Sequence, residues 1–202
     1  MKILIASRNA HKIQEIREIF ALPGVEWVST AAFPDLHDVV EDGATFEANA
    51  IKKAVELARA TGLWALADDS GLEVAALGNA PGVYSARYAG EPCNHARNNA
   101  KLLRELSGKA DRSARFRCVA ALSDPSGRVE TVSGACPGRI IDRLRGAQGF
   151  GYDPLFVPDG HGQTFAEMDS EQKNRLSHRG RAMTLAKERW GTLIAANAPG
   201  YP

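Results

Sequence analysis

Neither a marked net charge nor a long apolar run is present in this 202-residue chain, whose 25 Lys and Arg are set against 24 Asp and Glu for a formal net charge of +1. A near-neutral chain has no broad electrostatic footprint for nucleic acid, whose binders carry an excess or stripe of basic residues, so no nucleic-acid partner is expected. Any anionic ligand must be held by local groups. No apolar stretch approaches the roughly 20 residues that cross a bilayer, and the run within Met1-Lys2-Ile3-Leu4-Ile5-Ala6 is too short for a signal peptide. A cytoplasmic protein with no membrane partner is expected. Cysteine is scarce too: Cys93, Cys118 and Cys136 are odd in number and widely spaced, which excludes a disulfide framework and a Cys-x-x-Cys metal knuckle. Internal repeats and low-complexity linkers are also missing.

What is there is an ordinary globular composition, 44% apolar and 24% charged. The length suffices to bury a core without staples, and a single domain over 1–202, with one core or two lobes, is expected. Residues 2–6 read as an apolar strand, followed by polar Ser7 to His11 and a helical period with Ile13, Ile16 and Phe20 on one face. Pro23-Gly24 stops that helix before a strand over Val25 to Val28. From Thr45, a cap candidate, Phe46, Ala50, Ile51, Ala54, Leu57 and Ala58 form the inner face of a second helix that Gly62 ends. Trp64 to Ala67 reads as a short strand ending at Asp68-Asp69-Ser70-Gly71, a favoured place for ligands in α/β sheets. A small-residue loop, Gly78 to Gly90, leads to a helix near Asn94 to Leu106. Arg115 to Ser123 and Val129 to Ala135 read as a hairpin turning at Pro125-Ser126-Gly127. The glycine-rich Gly146 to Gly151 precedes a strand at Leu155 to Val157, a last helix spans about His178 to Ile194, and Asn197 to Pro202 are expected to fray. Strands mixed with helices and one hairpin give an α/β class with a partly antiparallel sheet.

Several polar constellations stand on this frame. Ser7-Arg8-Asn9-Ala10-His11-Lys12 joins a strand end to a helix start, where free N–H groups and the helix dipole favour phosphate, though a capped helix with a solvated lysine reads the same way. Glu41, Asp68 and Asp69 are hard oxygen ligands near glycines and suit Mg²⁺; the alternative is a turn of solvated aspartates. Lys52 and Lys53 lie on the second helix, one of them pointing off its apolar face toward solvent or a ligand. Phe150-Gly151-Tyr152-Asp153 offers an aromatic plane, close backbone approach and a carboxylate, which suits a planar base or a buried aromatic. Lys173, His178 and Arg179 are hydrogen-bond donors around the start of the last helix, and Arg87 lies in a loop of small residues.

Taken in order, six segments resemble the inosine triphosphate pyrophosphatase family, also described as dITP and XTP pyrophosphatases. They are residues 7–12, Glu41-Asp42-Gly43 with Thr45 to Ala50, Ala67 to Leu72, Ala80 to Tyr88, Gly149 to Pro154, and Ser177-His178-Arg179-Gly180. Residues 21–40 and 107–136 carry little of the likeness. The resemblance implies two α/β lobes around a long mixed sheet flanked by helices, an active site in the cleft, and a homodimer. It implies hydrolysis of non-standard purine nucleoside triphosphates to monophosphate and pyrophosphate, with Mg²⁺ as cofactor. It also implies roles: residues 7–12 (Ser7, Arg8, Asn9, Ala10, His11, Lys12) bind the triphosphate, Asp69 is general base and metal ligand, and Glu41 and Asp68 help hold Mg²⁺. Ser70, Phe150, Gly151, Tyr152, Asp153, Lys173, His178 and Arg179 surround the nucleoside, and Lys53 with Lys12 balances charge on the leaving pyrophosphate. Three competing readings are a septum-formation-type pyrophosphatase, which the tail motif disfavours, a nucleotide sensor without turnover, which would not need Asp69 as a base, and single-stranded nucleic-acid binding, which the near-zero net charge weakens.

Overall fold

The computed structural model describes residues 1–197, so the fraying expected over Asn197 to Pro202 falls outside the described residues after Asn197. The uninterrupted apolar run forms strand β1 (Lys2–Ile5), and Asn9 caps helix α1 (Ala10–Ile19). Strand β2 (Glu26–Ser29) follows one residue later than Val25 suggested. Helix α2 (Phe46–Thr61) begins at Thr45, whose hydroxyl accepts the Ala48 N–H at 3.1 Å, and ends where Gly62 takes φ 67°, a left-handed value that favours glycine. Strand β3 (Trp64–Val74), helix α3 (His95–Glu105), strands β4 (Ser113–Ser123), β5 (Val129–Ile140) and β6 (Phe156–Pro158), and helices α4 (Ser170–Leu176) and α5 (His178–Ala196) complete the order.

The strands form a mixed six-stranded sheet in the order β2-β1-β3-β4-β5-β6, with β1 parallel to both β2 and β3 and β5 antiparallel to β6. The expected hairpin is present. Its turn is closed by the Asp124 N–H on the Arg128 carbonyl and the Gly127 N–H on the Asp124 carbonyl, both at 3.0 Å.

Two compact units make up the chain, the first comprising Met1–Asp69, Cys118–Gly134 and the residues from Arg179 on, the second Ser70–Arg117 and Ala135–His178. The first buries Ile3, Ile5, Ile16, Phe20, Leu66 and Trp190 in one core, so Ile16 and Phe20 lie inward as their helical spacing requires. The second buries Leu72, Leu102, Phe116, Tyr152, Phe156 and Phe165 in another.

The end of β3 is corrected. Strand β3 does not stop at Ala67 but runs on through Asp68, Asp69 and Ser70 to Val74. A polar Asp-Asp-Ser-Gly run reads as a turn when water is its only partner, but here Asp68 has cationic partners inside the fold, so the ladder continues. Helix α4 carries no signal in the sequence pattern: it is only 7 residues long, too short for a period, and is set by Asp169, whose carboxylate accepts the Gln172 N–H at 2.8 Å.

Candidate active site

In the first unit, the turn after β1 is organised by its own side chains. The Ser7 hydroxyl accepts the Asn9 N–H at 3.2 Å, and Asn9 Oδ1 accepts the His11 and Lys12 N–H groups at 3.0 and 3.2 Å. Ala10 opens α1, and His11 is exposed. Arg8 reaches the other way, to Asp38 at 2.7 Å and the Leu36 carbonyl at 3.0 Å.

The aspartates on β3 differ in environment. Asp68 Oδ2 receives Arg179 Nη2 at 2.9 Å, Lys12 Nζ at 3.2 Å and the Cys118 thiol at 3.8 Å, while its buried Oδ1 has no hydrogen-bond partner. Burial opposes ionisation of Asp68, but Lys12, Arg179 and Lys53 outweigh it and hold the carboxyl well below the usual range. Asp69 goes the other way. Burial raises it, Lys53 and Lys12 only partly offset that, and Glu41 adds to the rise. A buried carboxylate with an elevated proton affinity beside cations is suited to general base catalysis.

Lys53 settles the question left by its helix: it is buried, and its ammonium donates to Glu41 Oε2 at 3.0 Å and the Asp68 carbonyl at 2.8 Å, with Asp69 Oδ1 at 3.9 Å. Lys52 instead bonds Asp42 at 2.7 Å nearer the surface. Glu15, on α1, takes Arg179 Nη1 at 2.5 Å. Burial works against the guanidinium charge of Arg179, but Asp68 and Glu15 more than restore it. Four carboxylates, Glu15, Glu41, Asp68 and Asp69, thus meet three cations, Lys12, Lys53 and Arg179.

Among the described residues no group of three His, Cys, Asp or Glu is placed to hold a metal ion by itself. Mg²⁺ does not need such a cage, because it commonly takes one or two protein carboxylates together with phosphate and water. Glu41 and Asp69, facing one ammonium, fit that pattern, as does the partnerless Oδ1 of Asp68.

In the second unit, Asp153 organises a separate cluster. Its Oδ2 accepts the Lys173 ammonium at 2.8 Å and the Phe150 N–H at 2.9 Å, which brings Lys173 over the Phe150 ring, 5.0 Å from its centroid. Gly149, at φ 73°, must be glycine: an added Cβ would lie 2.1 Å from that same Oδ2. The Gly151 carbonyl accepts Asn99 Nδ2 at 3.0 Å, and the buried Tyr152 hydroxyl donates to the Ser85 carbonyl at 2.9 Å, its pKa pushed up chiefly by burial. His178 stacks on Phe116, with centroids 4.7 Å apart and planes 11° from parallel. Ser70 is half-buried on β3. Lys173, Phe150 and Asp153 are therefore brought together, whereas Arg179 joins Asp68 and Lys12.

Glu15, Asn49, Asn99 and Cys118 take part in these networks without having been singled out. For Asn49 a signal existed: it falls in the stripe Phe46, Ala50, Ala54, Leu57 of α2, where a polar residue needs a buried partner. Its partners are the Gly43 N–H and Asp69.

The model of the Ham1 family matches residues 3–189. A protein of Desulforamulus reducens named dITP/XTP pyrophosphatase is 53% identical over 190 residues, covering 93% of this chain and 94% of its own. A Geobacillus kaustophilus protein of the same name is 48% identical and covers 96% of both chains. Among solved structures, the Staphylococcus aureus Ham1 protein superposes with a TM-score of 0.87 at 40% identity, covering 96% of this chain and 100% of that one. A Mycobacterium abscessus structure described as nucleoside-triphosphatase / dITP/XTP pyrophosphatase gives 0.76 at 46% identity, with coverage of 92% and 98%.

Proposed function

Because the chain belongs to the Ham1 family, we propose that it is a hydrolase of phosphoric anhydrides that cuts non-standard purine nucleoside triphosphates, dITP, ITP and XTP or dXTP, to monophosphate and pyrophosphate. In doing so it clears them from the nucleotide pool before they enter DNA or RNA. The observation that carries the reading is the contrast on β3: Asp68 is held ionised by cations, while its neighbour Asp69 has its proton affinity raised by burial.

Asp69 takes the proton of a water whose oxygen attacks phosphorus at the anhydride joining the monophosphate to the pyrophosphate, and Lys12 and Lys53 offset charge on the departing pyrophosphate. Residues 7–12 hold the triphosphate, with donors from Ser7, Asn9, Lys12 and the first turn of α1. Asp69 and Glu41, with Asp68 Oδ1 as the third candidate, would hold Mg²⁺, which would supply charge neutralisation on the phosphate oxygens.

The nucleoside is assigned to Ser70, Phe150, Gly151, Tyr152, Asp153, Lys173 and His178, with Arg179 kept beside His178 by the chain and its guanidinium engaged by Asp68 and Glu15. Phe150 offers a plane for the purine ring, and Lys173 and His178 offer donors to the 6-oxo group. Adenine, with an amino donor at that position, leaves them unpaired at a cost of about 1–3 kcal/mol each. The proposal extends to a cytoplasmic homodimer without nucleic-acid or membrane partners.

The test is a panel of dITP, ITP, XTP, GTP, ATP, dTTP and UTP with Mg²⁺, with and without a chelator, followed by product analysis. Monophosphate and pyrophosphate from the first three, abolished by chelation, are expected. Diphosphate and phosphate as products, or unchanged turnover by Asp69→Asn, would overturn the reading.

A further inference from the structure

Asn49 is a buried amide in the first turn of a 16-residue helix, 1% exposed, where a polar side chain needs partners inside the fold. Both ends of its amide are used, and their chemistry leaves only one orientation. The Gly43 N–H can only donate, so the acceptor Oδ1 faces it, at 2.8 Å; Nδ2 then donates to Asp69 Oδ2 at 3.0 Å. One oxygen of the Asp69 carboxylate is thereby bound, and the other, Oδ1, is turned toward the Lys53 ammonium. Gly43 lies two residues after Glu41 in a stretch without regular structure, so this bond also ties the Glu41-Asp42-Gly43 segment to α2. The fit is close: a Cβ at Gly43 would stand 2.6 Å from Asn49 Oδ1.

We propose that Asn49 is a positioning residue of the hydrolytic site, a single amide that sets the rotation of the Asp69 carboxylate and holds the Glu41 segment in register with it. The inference rests on Asp69 being the general base. Asn49 itself touches no substrate; it acts through Asp69 and Gly43, and partners of this kind are commonly worth about ten- to a hundredfold in metal affinity or activity.

The experiment compares wild type, Asn49→Ala, Gly43→Ala and the double variant. Steady-state rates with dITP at saturating Mg²⁺ are read together with Mn²⁺ binding to the nucleotide-free protein by electron paramagnetic resonance and with hydrogen exchange of the Gly43 amide. Asn49→Ala is expected to lower kcat by about ten- to a hundredfold and weaken Mn²⁺ binding by a similar factor. The dITP KM should move by less than about threefold, since the nucleoside cluster is untouched, and the Gly43 amide should exchange faster. Gly43→Ala, whose Cβ would press on Asn49 Oδ1 at 2.6 Å and less closely on Ala48 Cβ at 3.0 Å, should reproduce the kcat loss in wild type and add less than that loss in the Asn49→Ala background, even if Asn49→Ala alone folds less stably. Unchanged kcat and Mn²⁺ binding in Asn49→Ala, or a full second loss on adding Gly43→Ala, overturns the proposal. If Asp69→Asn keeps its turnover, the fault lies instead with the assignment of the base.

Discussion

Replacing Arg179 with methionine keeps the aliphatic stem and removes the guanidinium from a place where it is 1% exposed. Two of its nitrogens lie 2.9 and 3.3 Å from Asp68 Oδ2 and a third lies 2.5 Å from Glu15. Removing one partner of a buried ion pair costs about 3–5 kcal/mol, because the other charge stays buried without it. Lys12 remains 3.2 Å from the same Asp68 oxygen, which places the loss near the lower end, about 3 kcal/mol. In a chain of this length each kcal/mol shifts the thermal midpoint by about 2–4 °C, so a drop of about 6–12 °C is expected at neutral pH. The pH dependence has a definite sign. Burial resists the charge of Asp68, yet Lys12, Arg179 and Lys53 depress its pKa in the folded state below the ordinary 3.8. Its contribution is therefore complete above pH 3.8 and is lost as pH falls through the depressed value. Calorimetric scans of both proteins should show a wide gap in Tm at pH 7 that narrows on acidification below the ordinary carboxylate range. A drop below about 3 °C at neutral pH, or a gap indifferent to acid, would refute the account of Asp68 as a carboxylate stabilised by Arg179.

Lys53→Met takes a cation away from the neighbouring aspartate, Asp69. Burial raises Asp69 and Lys53 is the largest influence against it, so without Lys53 the carboxyl rises further and the acid limb of the kcat/KM profile moves to higher pH; no movement, or movement to lower pH, contradicts Asp69 as the base. Thiol chemistry separates the cysteines. Cys93 is exposed, whereas Cys118 is buried and pushed up to about 12 by burial and then by the Asp68 charge. With Cys136 buried as well, iodoacetamide at pH 8 should alkylate one of the three thiols in the native protein and all three after denaturation, read by mass spectrometry.

What could be read in advance was what neighbouring residues decide. Thr45 and Gly62 bound α2 because a cap and a left-handed glycine act within a turn, and the hairpin at Asp124 to Arg128 follows from its own residues. The candidate site was legible as a set of residue types in order, but their partnerships were not. Asp68 looks like part of a turn until Arg179, 111 positions away, is placed against it. Lys53 looks like a solvated lysine until Glu41 and the Asp68 carbonyl are found around its ammonium. Both belong to interactions whose partners are distant in the chain, and no local period encodes them. Asn49 lay closer to hand, since its place in the apolar stripe of α2 demands a buried partner, although the stripe does not say which.

The Asn9 side chain has a consequence for the rhythm of turnover. Its Oδ1 already accepts the His11 and Lys12 N–H groups at the start of α1, so those two donors are met when no anion is present. An anion that docks there competes with an oxygen the protein carries itself, and on leaving it is replaced by that oxygen. Affinity at such an entrance would be a difference between two acceptors, so the triphosphate proposed to dock at residues 7–12 would be held moderately and could leave without the turn coming apart.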